Sequence, residues 1–572
     1  MDWVRRMSND ALLAWFALPI LLLASEARLS AQVLDPTIPT TDRGNGQTFV
    51  TTSNLAAPPS PAASPSSSTL SSQAASPGQN VFLGAPATVR EQPRTPAQGN
   101  SQSGSSTVRL GPGFQAEAGG GTAASSGKRP GFKDLRYEED YTYLFTNPSL
   151  RTDFWDSIKF IPPWWLDQGY LSLGGEVRER YEFYHNDNFG SAPADRHGNN
   201  GYLLERYLLH GDLHLSPFLR FFGQFQSGLE DGRIGGPRPD IDRNAFDVHQ
   251  AFFDFVLPFG DSKDSLTWRI GRQEMSYGTG RIIDTREGVN LRRSFDEVRL
   301  LLKADEWKVD AWWGKPVRNR PGVFDDDPNP GVSFWGIYGV HPLPVLPKGN
   351  VDLYYLGFEN KEAVYDQGKG YELRHSLGSR LWGLPLPWEY NFEYVWQFGT
   401  FGQGTIMAWA AANAVRYNFD LPLKPRFGVR ADVASGDHNP NSPNLQTFNP
   451  LFPSGAYFNL ANPVGPSNII DLHPVLDLHF TEKVMLIADW DFFWRESLKD
   501  GVYTLGVTPL RTGRLSNERF VGSSPSLTLA WTLTSHITIL TSYVHFFAGP
   551  FLKETPPSRD IDYFTTWIDY KF

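Results

Sequence analysis

Arginine and glutamate side chains recur at every second position in several segments of this 572-residue chain. The first such segment carries Glu176, Arg178, Arg180 and Glu182 between apolar and aromatic neighbours. Guanidinium groups bind carboxylates and phosphates through paired, charge-assisted hydrogen bonds. A surface built from such rows attracts and binds anions, and this chemistry requires no bond to be broken.

The same alternation predicts the elements that carry these charges, because a period of two is typical of a strand with one buried face. The last strand, residues 560–572, ends in a terminal Phe572. Phe564, Ile568, Tyr570 and Phe572 share one of its faces, while Asp569 and Lys571 share the other. A soluble sandwich would show the same alternation. The terminal aromatic residue and the repetition of the pattern favour the last strand of a bacterial outer-membrane barrel.

Eighteen candidate strands follow one another between residues 170 and 572. The connections after odd-numbered strands are mostly long, and those after even-numbered strands are shorter. This predicts an all-β fold, a transmembrane antiparallel β-barrel of about 18 strands, in the outer membrane of a Gram-negative cell with both termini in the periplasm. In a closed barrel, every backbone N–H and C=O group within the hydrocarbon layer has a hydrogen-bond partner. A barrel of this size is also wide enough for an aqueous channel.

The region before the barrel has a different composition. Residues 1–31 combine Arg5 and Arg6, a short apolar run and small residues, which predicts a secretory signal peptide. Residues 32–131 are rich in Ser, Pro and Ala, and we interpret them as a disordered periplasmic segment, with a spacer as its simplest role. Residues 132–572 form the predicted barrel. The chain contains no cysteine, so neither a disulfide nor a lipid-modified cysteine is expected.

The apolar phase of each strand is assigned to lipid because a charge at the lipid midplane costs a few kcal/mol. In the first strand, Glu179 breaks the pattern and is expected near the membrane interface. The other phase then lines the interior with both signs of charge. The candidates are Arg178, Arg180, Arg206, Arg272, Arg299, Arg374, Arg380, Arg430, Asp432, Asp489 and Asp491. Such rings attract ions of opposite sign, although the same charges could instead pair across neighbouring strands and stiffen the wall.

The fifth strand gives an ambiguous phase. Trp268 and Ile270 share their face with Arg272 and Glu274. Either a bulge near Gly271 switches the phase, or the strand leaves the membrane there.

Several function classes are disfavoured. The net charge of −10 argues against nucleic acid as a partner. No Gly-x-Ser-x-Gly or His-Glu-x-x-His motif is present, so the chain is not expected to be an enzyme and no cofactor is implied. Asp325, Asp326 and Asp327 lack the ligand alternation and glycine of a calcium loop, and we expect a solvated acidic loop rather than a metal site.

Five separated segments resemble, in order, the alginate-export domain of Gram-negative outer membranes. They lie at 151–163, 170–182, 271–299 (Gly-Arg-Gln-Glu-Met-Ser-Tyr-Gly-Thr-Gly-Arg at its start), 374–383, and 434–437 together with 448–453. The resemblance covers roughly residues 140–572. It implies an eighteen-stranded monomeric barrel that secretes an anionic exopolysaccharide through an electropositive interior.

Carried over to this sequence, the resemblance makes Arg178, Arg180, Arg272 and Arg299 the best conduit candidates. Arg286, Arg292 and Arg293 lie on the long third outer loop, from which they could fold inward. The partners implied are an anionic polysaccharide, outer-membrane lipid and periplasmic export proteins. The connection near Leu533 and Thr534 is too short for the periplasmic plug of alginate exporters. A porin for small solutes is therefore the alternative, and an adhesive barrel using loop 435–467 is a further one.

Overall fold

A computed structural model describes residues 130–165, 169–260 and 263–572. The predicted signal peptide and the predicted disordered segment up to residue 129 lie outside these described residues. Within them, no helix is long and apolar enough to cross a membrane. The α-helices among the described residues are short and lie at Tyr143–Thr146, Asp156–Lys159, Asp187–Gly190 and Pro550–Glu554.

Eighteen antiparallel strands form one closed sheet, which confirms the predicted all-β barrel and its strand count. Each strand pairs with the next along the chain, and β18 closes the sheet on β1, with Arg178 opposite Asp569. The strands are β1 Tyr170–His185, β2 Asn199–Ser216, β3 Leu219–Asp231, β4 Asn244–Phe259, β5 Asp264–Gln273, β6 Phe295–Ala304, β7 Trp307–Arg318, β8 Val332–Leu343, β9 Gly349–Tyr365, β10 Gly368–Gly383, β11 Trp388–Phe401, β12 Gly404–Asn418, β13 Arg426–Ala434, β14 Ile469–His479, β15 Val484–Trp494, β16 Phe520–Thr532, β17 Ile537–Ala548 and β18 Ile561–Lys571.

The two faces of the sheet differ as the alternation predicts. On β1 and β2, Tyr181 and Leu203 are 36% and 47% exposed, whereas Arg178 and Arg206 are 2% and 0% exposed. The exposed face is thus apolar and the enclosed face is charged. This arrangement suits a barrel in lipid, since the outer face then buries no unpaired charge in hydrocarbon.

Two long connections at one end of the barrel fold into its interior. We call residues 274–294, between β5 and β6, inner loop A, and residues 435–468, between β13 and β14, inner loop B. They meet in a short parallel bridge, in which Asp284 N donates to Phe452 O and Phe452 N donates to Ile282 O, both at 2.9 Å. Their buried side chains, Met275 and Phe458 among them, form the main hydrophobic core together with the inner wall. The half of the barrel that contains these two loops is therefore a packed interior rather than an open tube.

The segment before β1, residues 130–165, packs at the opposite end, where the even-numbered strands turn. Trp155 stacks on the terminal Phe572 at 4.4 Å and donates a 2.6 Å hydrogen bond to Tyr570 Oη. Further inward, Tyr137 packs edge-on against Phe252 at 5.4 Å. The aromatic residues of this segment thus fix it against the wall and carry part of it into the barrel.

Strand β5 resolves the ambiguity in its phase. Its pairing with β4 and β6 runs without a register shift to Gln273, so Gly271 is not a bulge. Trp268 and Ile270 face outward and are 41% and 44% exposed, and Arg272 continues their phase. Gly271 adopts a φ of +132°, and a Cβ there would lie 2.2 Å from Ala251 O. Glycine is required because the two backbones approach so closely.

Candidate solute path

The inner wall of β1 and β2 concentrates guanidinium groups beside inner loop A. Arg178, Arg180 and Arg206 project inward and are at most 2% exposed. Arg206 Nε donates a 2.8 Å hydrogen bond to Glu176 Oε1 on the neighbouring strand. Arg206 Nη2 reaches inward to Glu287 Oε1 at 2.5 Å. This part of the wall therefore contacts the loop through charge-assisted hydrogen bonds.

Glu287 is the anionic centre of this contact, and three guanidinium groups surround its carboxylate. Arg178 Nη1 lies 3.0 Å from Oε1, Arg206 binds the same oxygen, and Arg292 donates to Oε2. Burial alone would raise the pKa of Glu287, but Arg206, Arg292 and Arg178 together hold that pKa well below its usual range. The cluster therefore holds one ionised carboxylate, and its donors are arranged for such a group.

The same wall residues bind the backbone of inner loop A. Arg178 Nη2 donates to Val289 O at 2.6 Å, and Arg180 Nη1 donates to Gly288 O at 2.8 Å. On the far side of the barrel, Arg281 Nη1 donates to Ala412 O on β12 at 3.2 Å. Inner loop A therefore crosses the interior from β1 to β12.

Most of the other predicted arginines lie on the inner wall in ion pairs between neighbouring strands or within one strand. The shortest separations are 2.7 Å for Arg299–Asp310, 2.5 Å for Arg374–Glu372 and 2.7 Å for Arg380–Asp352. Such pairing orders the wall. It also means that a passing anion competes with a resident carboxylate at each of these positions.

Arg430 on β13 faces a group of carboxylates. Its side-chain nitrogens lie 3.6 Å from Asp432, 3.5 Å from Asp471 and 3.8 Å from Asp491. His473 Nδ1 lies 2.8 Å from the same Asp491. Asp471, His473 and Asp491 have a spacing that could hold a metal ion, but Arg430 already supplies the positive charge there.

Asp489 and Arg272 occupy different surroundings from these groups. Asp489, on the inner wall of β15, accepts a 2.7 Å hydrogen bond from Ser526 Oγ and lies 3.5 Å from His473. Arg272 lies on the outward phase and donates to Asp296 Oδ1 at 2.7 Å across to β6. Arg272, which was expected to line the interior, therefore lies on the outer face of the sheet.

Inner loop B is bound to the wall by backbone carbonyls. Gln397 Nε2 donates to Asn449 O at 2.7 Å, and Arg430 Nη1 donates to Tyr457 O at 3.1 Å. Arg374 Nη1 likewise donates to Thr447 O at 3.2 Å. The wall arginines on this side thus position the loop as well as supplying charge.

The segment before β1 reaches inner loop A from the other end. Tyr137 Oη donates to Glu274 O at 2.9 Å, and Arg292 Nη2 donates to Asp134 O at 3.0 Å. Arg292 therefore contacts both this segment and Glu287. A solute that crosses the barrel must pass between the wall, the two inner loops and this segment.

The sequence reasoning did not identify two residues of this arrangement, Glu287 and Arg281. Neither lies on a strand, so neither falls under the alternation that identified the wall residues. The length of the connection, 21 residues between β5 and β6, together with its charged residues, was the one available signal.

The model of the alginate-export family matches residues 169–565 of the chain, and the suspected resemblance is thereby confirmed. No curated protein sequence matches.

Among solved structures, the chain is similar to three outer-membrane proteins of Pseudomonas aeruginosa. OccK11 (OpdR) has 11% identity and a TM-score of 0.47, covering 71% of this chain and 98% of that one. OccK2 (OpdF), solved in complex with glucuronate, has 10% identity and a TM-score of 0.46, covering 70% and 96%. OpdK with vanillate has 10% identity and a TM-score of 0.46, covering 70% and 98%.

Proposed function

This chain belongs to the alginate-export family and is an outer-membrane channel, and we propose that it passively exports an anionic, alginate-like exopolysaccharide through its arginine-lined interior. The observation that carries the proposal is the cluster of Arg178, Arg206 and Arg292 around Glu287. Glu287 presents to these guanidiniums the same carboxylate group that each uronate unit of such a polymer would present.

In the proposed transport step, carboxylates of the polymer exchange with the resident carboxylates that pair with the wall arginines. A polymer carboxylate would replace a resident one at Arg178 or Arg206, and then at successive wall positions. The further wall candidates are Arg180, Arg299, Arg374, Arg380 and Arg430, with Asp432, Asp489 and Asp491 as the alternating anionic groups. Binding of the polymer at each arginine is reversible because the resident carboxylate can return to it. The driving force for export comes from synthesis of the polymer elsewhere.

A second candidate function is passage of small anionic solutes, and the inner loops favour it. Inner loops A and B fill the outer half of the barrel and are hydrogen-bonded to the wall on several sides. A polymer needs a continuous path, so its passage requires at least one of these loops to move. A small solute requires a smaller opening.

We propose that both termini lie on the periplasmic side and that the protein works as a monomer. The short connections and the two ends of the described chain share one end of the barrel, as in other outer-membrane barrels. The Ser-, Pro- and Ala-rich segment before the barrel would then lie in the periplasm, where export partners could contact it.

The proposal predicts that the full chain is anion-selective in planar bilayers under a KCl gradient. Glu287→Gln should increase the anion preference because it removes a negative charge from the arginine cluster. The difference in anion preference between the wild type and Glu287→Gln should stay constant between pH 7 and pH 5, because the arginines hold the pKa of Glu287 well below this window and the carboxylate stays ionised. Reversal potentials measure all three effects.

The matched control is Glu306→Gln, which removes an exposed carboxylate at a short turn at the opposite end. This variant should leave the reversal potential unchanged. A cation-selective wild type, or a Glu287→Gln channel with lower anion preference, would contradict the proposed role of the cluster.

A further inference from the structure

A separate cavity of about 220 Å³ lies at the outer end of the barrel, between the two inner loops and the ends of β7 and β8. Arg286 and Arg293 of inner loop A line one side of it, and Phe358, Leu451 and Phe452 supply an apolar surface. Ligand sites typically combine such an apolar lining with a few polar groups that fix orientation. The volume suits one small ring-sized molecule rather than a polymer.

The two arginines differ from those of the inner wall because neither forms an ion pair with a described residue. Within the described residues, no carboxylate oxygen lies within 4.0 Å of the guanidinium nitrogens of Arg286 or Arg293. Arg293 bonds through Nη1 alone, to Asp284 O and Pro453 O, both at 3.3 Å. Its guanidinium carbon lies 5.2 Å from the centroid of the Phe452 ring, and its Nε and Nη2 form no hydrogen bond with the described residues.

Arg286 is held by carbonyl groups in the same manner. Its Nη2 donates to Asp240 O at 2.7 Å and to Leu291 O at 3.3 Å, while Nε is buried without a hydrogen-bond partner among the described residues. The backbone bond from Arg293 N to Thr285 O, at 2.7 Å, brings the two arginines to one side of the cavity.

The charge of the lining is positive. Arg318 lines the cavity but is paired with Asp327 through two hydrogen bonds, at 2.7 and 3.2 Å. Asp240 contributes the single carboxylate of the lining, against Arg286 and Arg293. Burial lowers the pKa of Arg286 to about 10, and burial together with the neighbouring Arg286 lowers the pKa of Arg293 to about 9. Asp240 and Asp242 raise the pKa of Arg286, and Asp284 raises that of Arg293, but burial outweighs them. Both groups stay charged at neutral pH, and a bound anion would compensate the rest of their charge.

The backbone around the cavity is unusual as well. Asp240, Arg286 and Leu451 adopt φ values of +63°, +65° and +62°, a left-handed conformation that residues other than glycine rarely take. All three line the cavity. Residues held in such conformations cost free energy and tend to cluster at ligand sites.

We infer that this cavity binds a single small carboxylate that carries a ring. In this proposal the carboxylate lies between Arg286 and Arg293, the ring packs on the apolar lining of Phe358 and Leu451, and Asn329 is available to polar groups of the ring. The site is distinct from the Glu287 cluster, and binding of a ligand there does not depend on passage of a polymer through the barrel.

Titration calorimetry of the full chain in detergent micelles, with sodium D-glucuronate as the probe, tests the inference. The wild type should bind glucuronate and should not bind D-glucose, which lacks the carboxylate. Arg286→Gln and Arg293→Gln should each raise the dissociation constant about tenfold or more, because each removes a charged donor. Arg514→Gln is the matched control, since Arg514 is exposed on another outer loop.

A wild type that does not bind glucuronate, or equal affinity in the wild type and both arginine variants, would overturn the inference. Loss of affinity in Arg514→Gln to the same extent would also overturn it. Conductance of the variants in KCl shows whether they are folded. Charge selectivity is measured without any saccharide, so a failure of this site and a failure of the proposed channel function give different results.

Discussion

Replacing residues 279–291 of inner loop A with a Gly-Ser-Gly link should raise the single-channel conductance roughly threefold or more. This segment includes Arg281, which binds β12, and Glu287, which binds the wall of β1 and β2. Because the loop crosses the interior between these walls, its removal widens the path. Conductance in symmetrical KCl measures the effect directly.

A comparable shortening of another connection provides the control. Residues 192–196 lie in the largely exposed loop between β1 and β2, and their replacement by a short link should leave the conductance close to that of the wild type. Unchanged conductance after removal of 279–291 would show that inner loop A does not limit the path.

The second large effect is expected from Arg206→Ala, which should destabilise the barrel by about 3–5 kcal/mol. Arg206 is fully buried and binds Glu176 on the wall and Glu287 on the loop. Its removal leaves buried carboxylates without their main counterion, and a buried uncompensated charge is costly. Equilibrium unfolding by denaturant from lipid vesicles measures the free energy of unfolding.

Two further variants separate this explanation from a general sensitivity to mutation. Arg320→Ala removes an exposed arginine that lies 2.9 Å from Asp327, and it should cost at most about 1 kcal/mol. The double variant Arg206→Met with Glu176→Met should regain much of the lost stability, because an apolar pair replaces a buried ion pair at little cost. An Arg206→Ala variant as stable as Arg320→Ala would contradict the account.

The barrel itself could be predicted from the sequence because its physical cause is local. Every strand has lipid on one side and water or polar groups on the other, so apolar and polar side chains alternate along it. The side of the sheet on which Arg206 or Leu203 lies can therefore be predicted from its position in the sequence. Gly271 shows the limit of this reasoning. Its close approach to Ala251 leaves the register intact, and Arg272 keeps the outward face because a lateral partner, Asp296, is available.

The arrangement inside the barrel could not be predicted in this way, because the contacts that create it are long-range and aperiodic. Glu287 binds Arg206, which lies 81 residues earlier in the chain, and no repeat in the sequence relates the two. Tyr137 likewise reaches Glu274 over 137 residues. Loops of this kind obtain their conformation from the wall and from one another, so their inward fold emerges only with the tertiary structure.

The most direct test of the central claim is block of the ion current by a defined polymer. The full chain in a planar bilayer is titrated with polyuronate and, separately, with a neutral glucan of the same length. We expect the polyuronate alone to interrupt the current, at concentrations that rise with ionic strength because charge pairing drives entry. A current that is insensitive to both polymers, or equally sensitive to the neutral glucan, would contradict a path for anionic polysaccharide.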